Sequence, residues 1–208
     1  MEYFKRCKED LALALPVFDK VYRKTLCLQD YKLSDGHVRG IASACPLFDH
    51  SVVNRFLFSN CGLSGDQFAI VLQGAKNMKD FKSVIYKRDS ININSIMSLK
   101  PLFARRIPYH MEELKLIDCK ISSSDLEILL DCLLEDSKIK TLSLVNLPQT
   151  EVTIEKIGEL VEKSETLVDL DLSWSNVRPS VMQEFLKIIK HNKTLQCLSL
   201  AYNMILEE

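Results

Sequence analysis

An eleven-residue pattern, LxxLxLxxNxL, returns along this chain every 28 to 30 residues, and that recurrence restricts the fold more than any other feature. The fullest copies are LQCLSLAYNMI at 195–205 and LVDLDLSWSNV at 167–177. Further copies begin at Ile139, Met111, Phe81, Val53 and, with a degraded first residue, Arg23. Position four is Leu26, Phe56, Val84, Leu114, Leu142, Leu170 and Leu198; position six is Leu28, Phe58, Tyr86, Leu116, Leu144, Leu172 and Leu200. All are apolar or aromatic and two residues apart, as a short strand with one buried face requires.

The segment after each copy has a helical period. After Leu33, Leu63, Ile121 and Val177 the apolar sets are Val38/Ile41/Ala42/Cys45, Phe68/Val71/Leu72/Ala75, Leu126/Leu129/Leu130/Leu133 and Met182/Phe185/Leu186/Ile189. The set after Gln149 contains Gly158, and the one after Ile91 contains Lys100, with Pro101 expected to break or restart that helix. Ser34, Ser64 (three before Gln67) and Ser122 occupy helix N-cap slots. Each unit is therefore one strand plus one helix, and neither buries its apolar face alone. Stacking the units gives an α/β solenoid with a parallel sheet on the concave side and helices on the convex side. Position nine, where Asn or Cys serves the turn after the strand, reads Tyr31, Cys61, Asp89, Cys119, Leu147, Ser175 and Asn203. Leu147, with Pro148 and Gln149 after it, predicts an irregular turn.

The repeat resembles leucine-rich-repeat proteins of the ribonuclease-inhibitor-like subclass over residues 23–208, about nine tenths of the chain. That resemblance implies a right-handed horseshoe arc of about seven repeats, starting near 23, 53, 81, 111, 139, 167 and 195. Residues 1–22 resemble the N-terminal helical cap of such proteins, with Tyr3 and Cys7 on one helix and Pro16 opening a second that carries Phe18 and Val21. The last repeat has its strand and turn, but no helix precedes Glu208. The expectation is that this uncapped end meets further repeats or another chain.

Composition narrows the function. Lys and Arg number 27 against 28 Asp and Glu, without the basic excess of a dedicated nucleic-acid binder. The longest apolar run, 11–18, is interrupted by Pro16 and falls far short of the roughly 20 residues of a membrane span. The start has no secretory h-region. The seven cysteines are odd in number, widely spaced and without CxxC, as in a reduced intracellular protein, so a cytoplasmic place is expected. His37, His50, His110 and His191 form no metal or general-base motif, and six glycines supply no phosphate loop. No cofactor, no metal and no catalytic residue is expected. LPVFDKVYRK suggests an F-box start, but too little chain precedes the first strand for that module. The sequon Asn192-Lys193-Thr194 falls at a helix-to-strand corner and reads as accidental.

The concave face remains as the working surface. Positions three, five, seven and eight place Arg55, Lys87, Arg88, Glu113, Lys115, Asp169, Asp171, Trp174 and Tyr202 on it or at its edge. Charge runs from basic to acidic along the arc, which would orient a partner. Trp174 and Tyr202 share position eight one repeat apart and are the expected anchors. The expected function is a non-catalytic intracellular scaffold binding protein partners, with no nucleic acid and no membrane involved. A structural subunit of a cytoskeletal or ciliary assembly is an alternative. The resemblance also admits a Ran-type GTPase-activating protein, although that family's acidic tail is missing. A ribonuclease inhibitor is disfavoured by only seven Cys and one Trp.

Overall fold

The computed structural model describes residues 2–49, 51–104 and 111–203. Met1, His50, His110 and the close of the last repeat from 204 onward, including Ile205, lie outside the described residues. After helix α1 (Glu2–Glu9) and a two-residue strand β1 (Val21–Tyr22), strands and helices alternate. They are β2 (Thr25–Gln29), α2 (Asp35–Ala44), β3 (Arg55–Ser59), α3 (Gly65–Ala75), β4 (Ser83–Lys87), α4 (Ile93–Phe103), β5 (Glu113–Ile117) and α5 (Ser123–Glu135). The series continues with β6 (Thr141–Val145), α6 (Glu151–Lys163), β7 (Asp169–Asp171), α7 (Pro179–Ile189) and β8 (Cys197–Ser199).

One sheet holds all eight strands in chain order. β1 is antiparallel to β2, and every other neighbour is parallel. Position four of each sequence repeat pairs with position four of the next, from Leu26↔Phe56 through Leu170↔Leu198. This register puts positions four and six of β2 to β6 on one face, and Leu170 and Leu198 of the shorter β7 and β8 continue the row. There they pack with Val38, Ile41, Phe68, Val71, Leu126, Leu129, Ile154 and Phe185 in one continuous core. The fold is α/β, an eight-stranded and mostly parallel sheet alternating with seven helices among the described residues, an arrangement compatible with a solenoid.

The slot after position eleven caps most helices. Ser64 accepts from the Gln67 backbone N–H while the Gln67 side chain accepts from the Ser64 N–H. Asn92, Ser122 and Thr150 accept in the same way from the residue three further on. In α2 the reciprocal partner is His37, whose Nδ1 accepts from the Ser34 N–H while its Nε2 lies 2.6 Å from the Leu13 carbonyl. The imidazole thus joins the N-terminal segment to the first repeat. At α7 Arg178 stands in this slot without capping, and Pro179 opens the helix instead.

Three expectations need correction. Tyr3 and Cys7 are buried on α1 as expected, but Pro16 introduces only a single 3-10 turn, Val17–Lys20. Val21 belongs to a strand: Arg23 and Lys24 take φ of 47° and 64°, turning the chain so that Val21 and Tyr22 pair with Leu26 and Thr25. Pro101 neither breaks nor restarts α4. It sits two residues from the end, where the missing N–H removes one bond from a helix already stopping, and Lys100 reaches Glu135 at 2.7 Å. Leu186 is exposed rather than inward. Ile188 packs over Gly158 instead, where a Cβ would stand 3.0 Å from its Cδ1.

Candidate functional site

Two rows at the C-terminal ends of the strands shape this edge of the sheet. At position nine, Cys61 and Cys119 donate from Sγ to the position-six carbonyls of the preceding repeat, Leu28 and Tyr86, at 3.2 and 3.3 Å. Burial pushes these thiols up to about 11 and about 12, so they stay protonated and unreactive. Asp89, 5% exposed, accepts from the N–H groups of Cys61, Gly62 and Leu63 at 2.8, 2.8 and 3.3 Å. Asn203 accepts from Ser175 N–H and donates to the Leu172 and Leu200 carbonyls. Leu147 can do neither. Its turn closes through a Gln149 N–H to Leu147 O bond, leaving the buried Gln149 amide and Ser175 hydroxyl without a protein partner among the described residues.

At position eight every residue is left-handed: Asp30, Asn60, Arg88, Asp118, Asn146, Trp174 and Tyr202 have φ between 51° and 61°. The backbone is held there by the neighbouring repeat. The N–H of each of the first six donates to the position-seven carbonyl of the next strand, from Asp30 to Ser59 through Trp174 to Ala201. Asn and Asp tolerate this conformation; Arg88, Trp174 and Tyr202 adopt it at a cost of roughly 1 kcal/mol each. Side chains along the row pair off. Asn60 donates to Asp30 at 2.8 Å, Asn146 to Asp118 at 2.8 Å, and Arg88 lies 3.8 Å from Asp118.

Of the nine residues expected on the face, seven fall into two groups, Arg88 lies beside Asp118, and Lys87 stands alone among the described residues. On β3 to β5, Glu113 accepts from Ser83 at 2.6 Å, with Lys115 at 3.0 Å and Arg55 at 3.8 Å. Burial alone would raise the Glu113 carboxyl, but the Ser83 hydroxyl and the two cations outweigh it and hold the group below the usual carboxylate range. A group depressed in this way contributes stability above its ordinary value near 4.5 and loses it as pH falls through the lower folded value. In acid unfolding curves, Glu113→Gln is therefore expected to flatten the loss of stability below pH 4.5 while leaving the neutral slope unchanged. Identical acid limbs for the two proteins would remove the assignment. Lys87 has no ion-pair partner among the described residues.

On β6 to β8, Asp171 Oδ1 accepts from the N–H and hydroxyl of Ser173 at 3.0 and 2.6 Å, and the Ser143 hydroxyl lies 3.4 Å from Oδ2. The Ser173 and Ser199 hydroxyls are 2.8 Å apart. Asp169, in register with Cys197, has no side-chain partner among the described residues. At the adjoining edge Trp174 and Tyr202 stack on each other, centroids 4.1 Å apart and planes 16° from parallel, yet remain 52% and 73% exposed. The contact across the turn and the exposed surface are thus both present.

Charge pattern alone misses two features of this face. Leu57 and Ile85 are register partners, as are Ile117 and Val145, and these half-buried side chains form a stepped apolar stripe across β3 to β6, running among the basic groups. Their signal, apolar residues at outward positions, is present in the sequence, but each taken singly is ordinary. Ser83, 1% exposed and anchoring Glu113, has no signal at all. Among the described residues no group of three or more His, Cys, Asp or Glu is arranged to hold a metal, and no helix is long and apolar enough to cross a membrane. The sequon is occupied structurally: Asn192 donates to Val161 O at 2.6 Å and accepts from Thr194 and Leu195 N–H. Set against models of known protein families and against curated proteins, the chain finds no significant match.

Proposed function

We propose that this chain is a leucine-rich-repeat horseshoe of the ribonuclease-inhibitor-like kind, and that it works as a non-catalytic intracellular scaffold binding a protein partner on the concave face of its sheet. The observation that carries the reading is the Trp174–Tyr202 stack, a wide aromatic surface left open on strained backbone. Where the same slot carries Asn60 or Asn146, the turn needs no aromatic ring. Aromatic anchors of this kind dominate binding energy in protein interfaces. Around them the open face is bipolar. Arg55, Lys87, Arg88 and Lys115 outnumber Glu113 and Asp118 on β3 to β5, whereas Asp169 and Asp171 stand without a basic residue on β6 to β8. A partner of opposite polarity is steered into one orientation, with the apolar stripe as its contact floor.

The test compares the partners crosslinked to the wild-type chain with those crosslinked to Trp174→Asn, Lys87→Glu and Asp171→Lys. Trp174→Asn keeps a residue suited to the left-handed turn, so its loss of binding is not a loss of fold. Each variant is expected to lose at least tenfold in recovery of the same partner, the scale of one removed hot-spot residue. Unchanged recovery with all three would eliminate the open face as the binding surface.

A further inference from the structure

We infer that the β7–β8 end of the open face recognises a basic segment of the partner, an extended stretch whose Arg or Lys side chains lie against the Trp174–Tyr202 stack and the Asp169 and Asp171 carboxylates. This rests on the scaffold reading above and specifies the chemistry that one end of the surface accepts.

The charge balance of the region points to a cation. At positions three, five, seven and eight of β6, β7 and β8 the side chains are Thr141, Ser143, Val145, Asn146, then Asp169, Asp171, Ser173, Trp174, then Cys197, Ser199, Ala201, Tyr202. Two carboxylates stand among them and no Lys or Arg. The contrast with Glu113 is direct, because that carboxylate already has Lys115 and Arg55 beside it. Asp171 is also pre-oriented. Ser173 fixes Oδ1 through two hydrogen bonds, while Oδ2 meets only the longer contact from Ser143. A carboxylate held in this way loses little side-chain freedom when a cation arrives.

The aromatic pair supplies the second half. A stacked Trp and Tyr present π faces that attract guanidinium and ammonium groups, with Trp the stronger ring. No arginine or lysine among the described residues occupies them: Arg178, the nearest in sequence, is paired with Glu151 at 3.1 Å, and the cation–π contact in the structure is Arg23 on Tyr22 at the far end. Asp169 and Asp171 stand two residues apart on one face of β7, about 7 Å from each other, and the aromatic pair adds a further place for a cation beyond the strand. The occupant is therefore a segment with at least two cations on one side, not a single basic residue.

Trp174 is the chain's single tryptophan, so its emission reports directly on the site. The probe is a capped peptide of alternating Gly and Arg, which in extended form places every Arg on one side; its counterpart carries Glu in place of Arg. The Gly-Arg peptide is expected to change Trp174 emission saturably, with affinity falling as salt is raised. The Gly-Glu peptide is expected to do nothing. Asp169→Asn/Asp171→Asn, which keeps the Oδ1 acceptor for Ser173, should weaken binding about tenfold, the combined effect of two exposed charge pairs. Trp174→Asn, read by calorimetry, should weaken it to a similar extent. Absence of a saturable change, an equal response to the Gly-Glu peptide, or undiminished affinity in the double-Asn variant each overturns the inference. If the peptide fails while Trp174→Asn still abolishes crosslinking of the partner, only the basic-segment chemistry is wrong. If crosslinking also survives all three face variants, the scaffold reading falls with it.

Discussion

Replacing Asp89 with alanine is expected to cost this protein about 4 kcal/mol of stability, a large share of what a domain of this size possesses. The carboxylate, itself buried, accepts from three consecutive backbone N–H groups, those of Cys61, Gly62 and Leu63. Alanine leaves the Cys61 and Leu63 donors buried and unpaired, while the N–H of exposed Gly62 can turn to water. Asp89→Asn retains one acceptor oxygen and should lose about half as much. Denaturant titration checks the total, and hydrogen exchange checks the place: amide protection at 61–63 should collapse in the alanine variant before that of β6. A midpoint shift worth less than about 1 kcal/mol would show that water or a rearranged turn substitutes for the carboxylate.

Gly74→Ala tests the packing of the helices. By helix propensity alone the change should stabilise α3 by about 1 kcal/mol. The structure predicts the opposite sign. A Cβ on residue 74 would stand 2.6 Å from both Cα and O of Ala42, which are backbone atoms of α2 and cannot swing aside. The two helices must separate, loosening the contacts of Val38, Ile41, Val71 and Leu72 beneath them, and overpacking of this kind costs about 1–3 kcal/mol. A net loss of about 2 kcal/mol in thermal or denaturant unfolding is expected, and a gain would mean that α2 and α3 lie farther apart than this contact requires. Gly62, with nothing within 4 Å of an added Cβ, is the control for backbone strain without a clash.

Much of this architecture is legible in the amino-acid string because burial dictates it twice over. Positions four and six had to be apolar to cover the sheet, and the helical sets had to be apolar to cover them in turn, so Leu26 to Leu198 and Val38 to Phe185 announce the strands and helices independently. The same logic identifies position nine, where Cys61, Cys119, Asp89 and Asn203 serve the turn. It fails where main-chain pairing rather than side-chain pattern decides. Val21 and Tyr22 join a hairpin because Arg23 and Lys24 accept left-handed φ, which neither residue type advertises. Leu186 yields its inward place to Ile188 because Gly158 opens a seat across the helix pair, visible only once both helices are docked. On the open face the charges are readable, but their partners are not. Arg55 on β3 and Ser83 on β4 reach Glu113 on β5 from far away in sequence, and Asp171 takes its bonds from serines that carry no signal of their own.

The left-handed row at position eight has a consequence for how such a surface changes over time. Its conformation is imposed by amide-to-carbonyl bonds from one repeat to the next, so the turn does not depend on which side chain it carries. Aspartate, asparagine, arginine, tryptophan and tyrosine already occupy it within a single chain. The edge therefore behaves like a line of interchangeable type on a fixed bar. A new partner can be spelled by resetting one character at a time, each at roughly 1 kcal/mol, while the frame that prints it stays still.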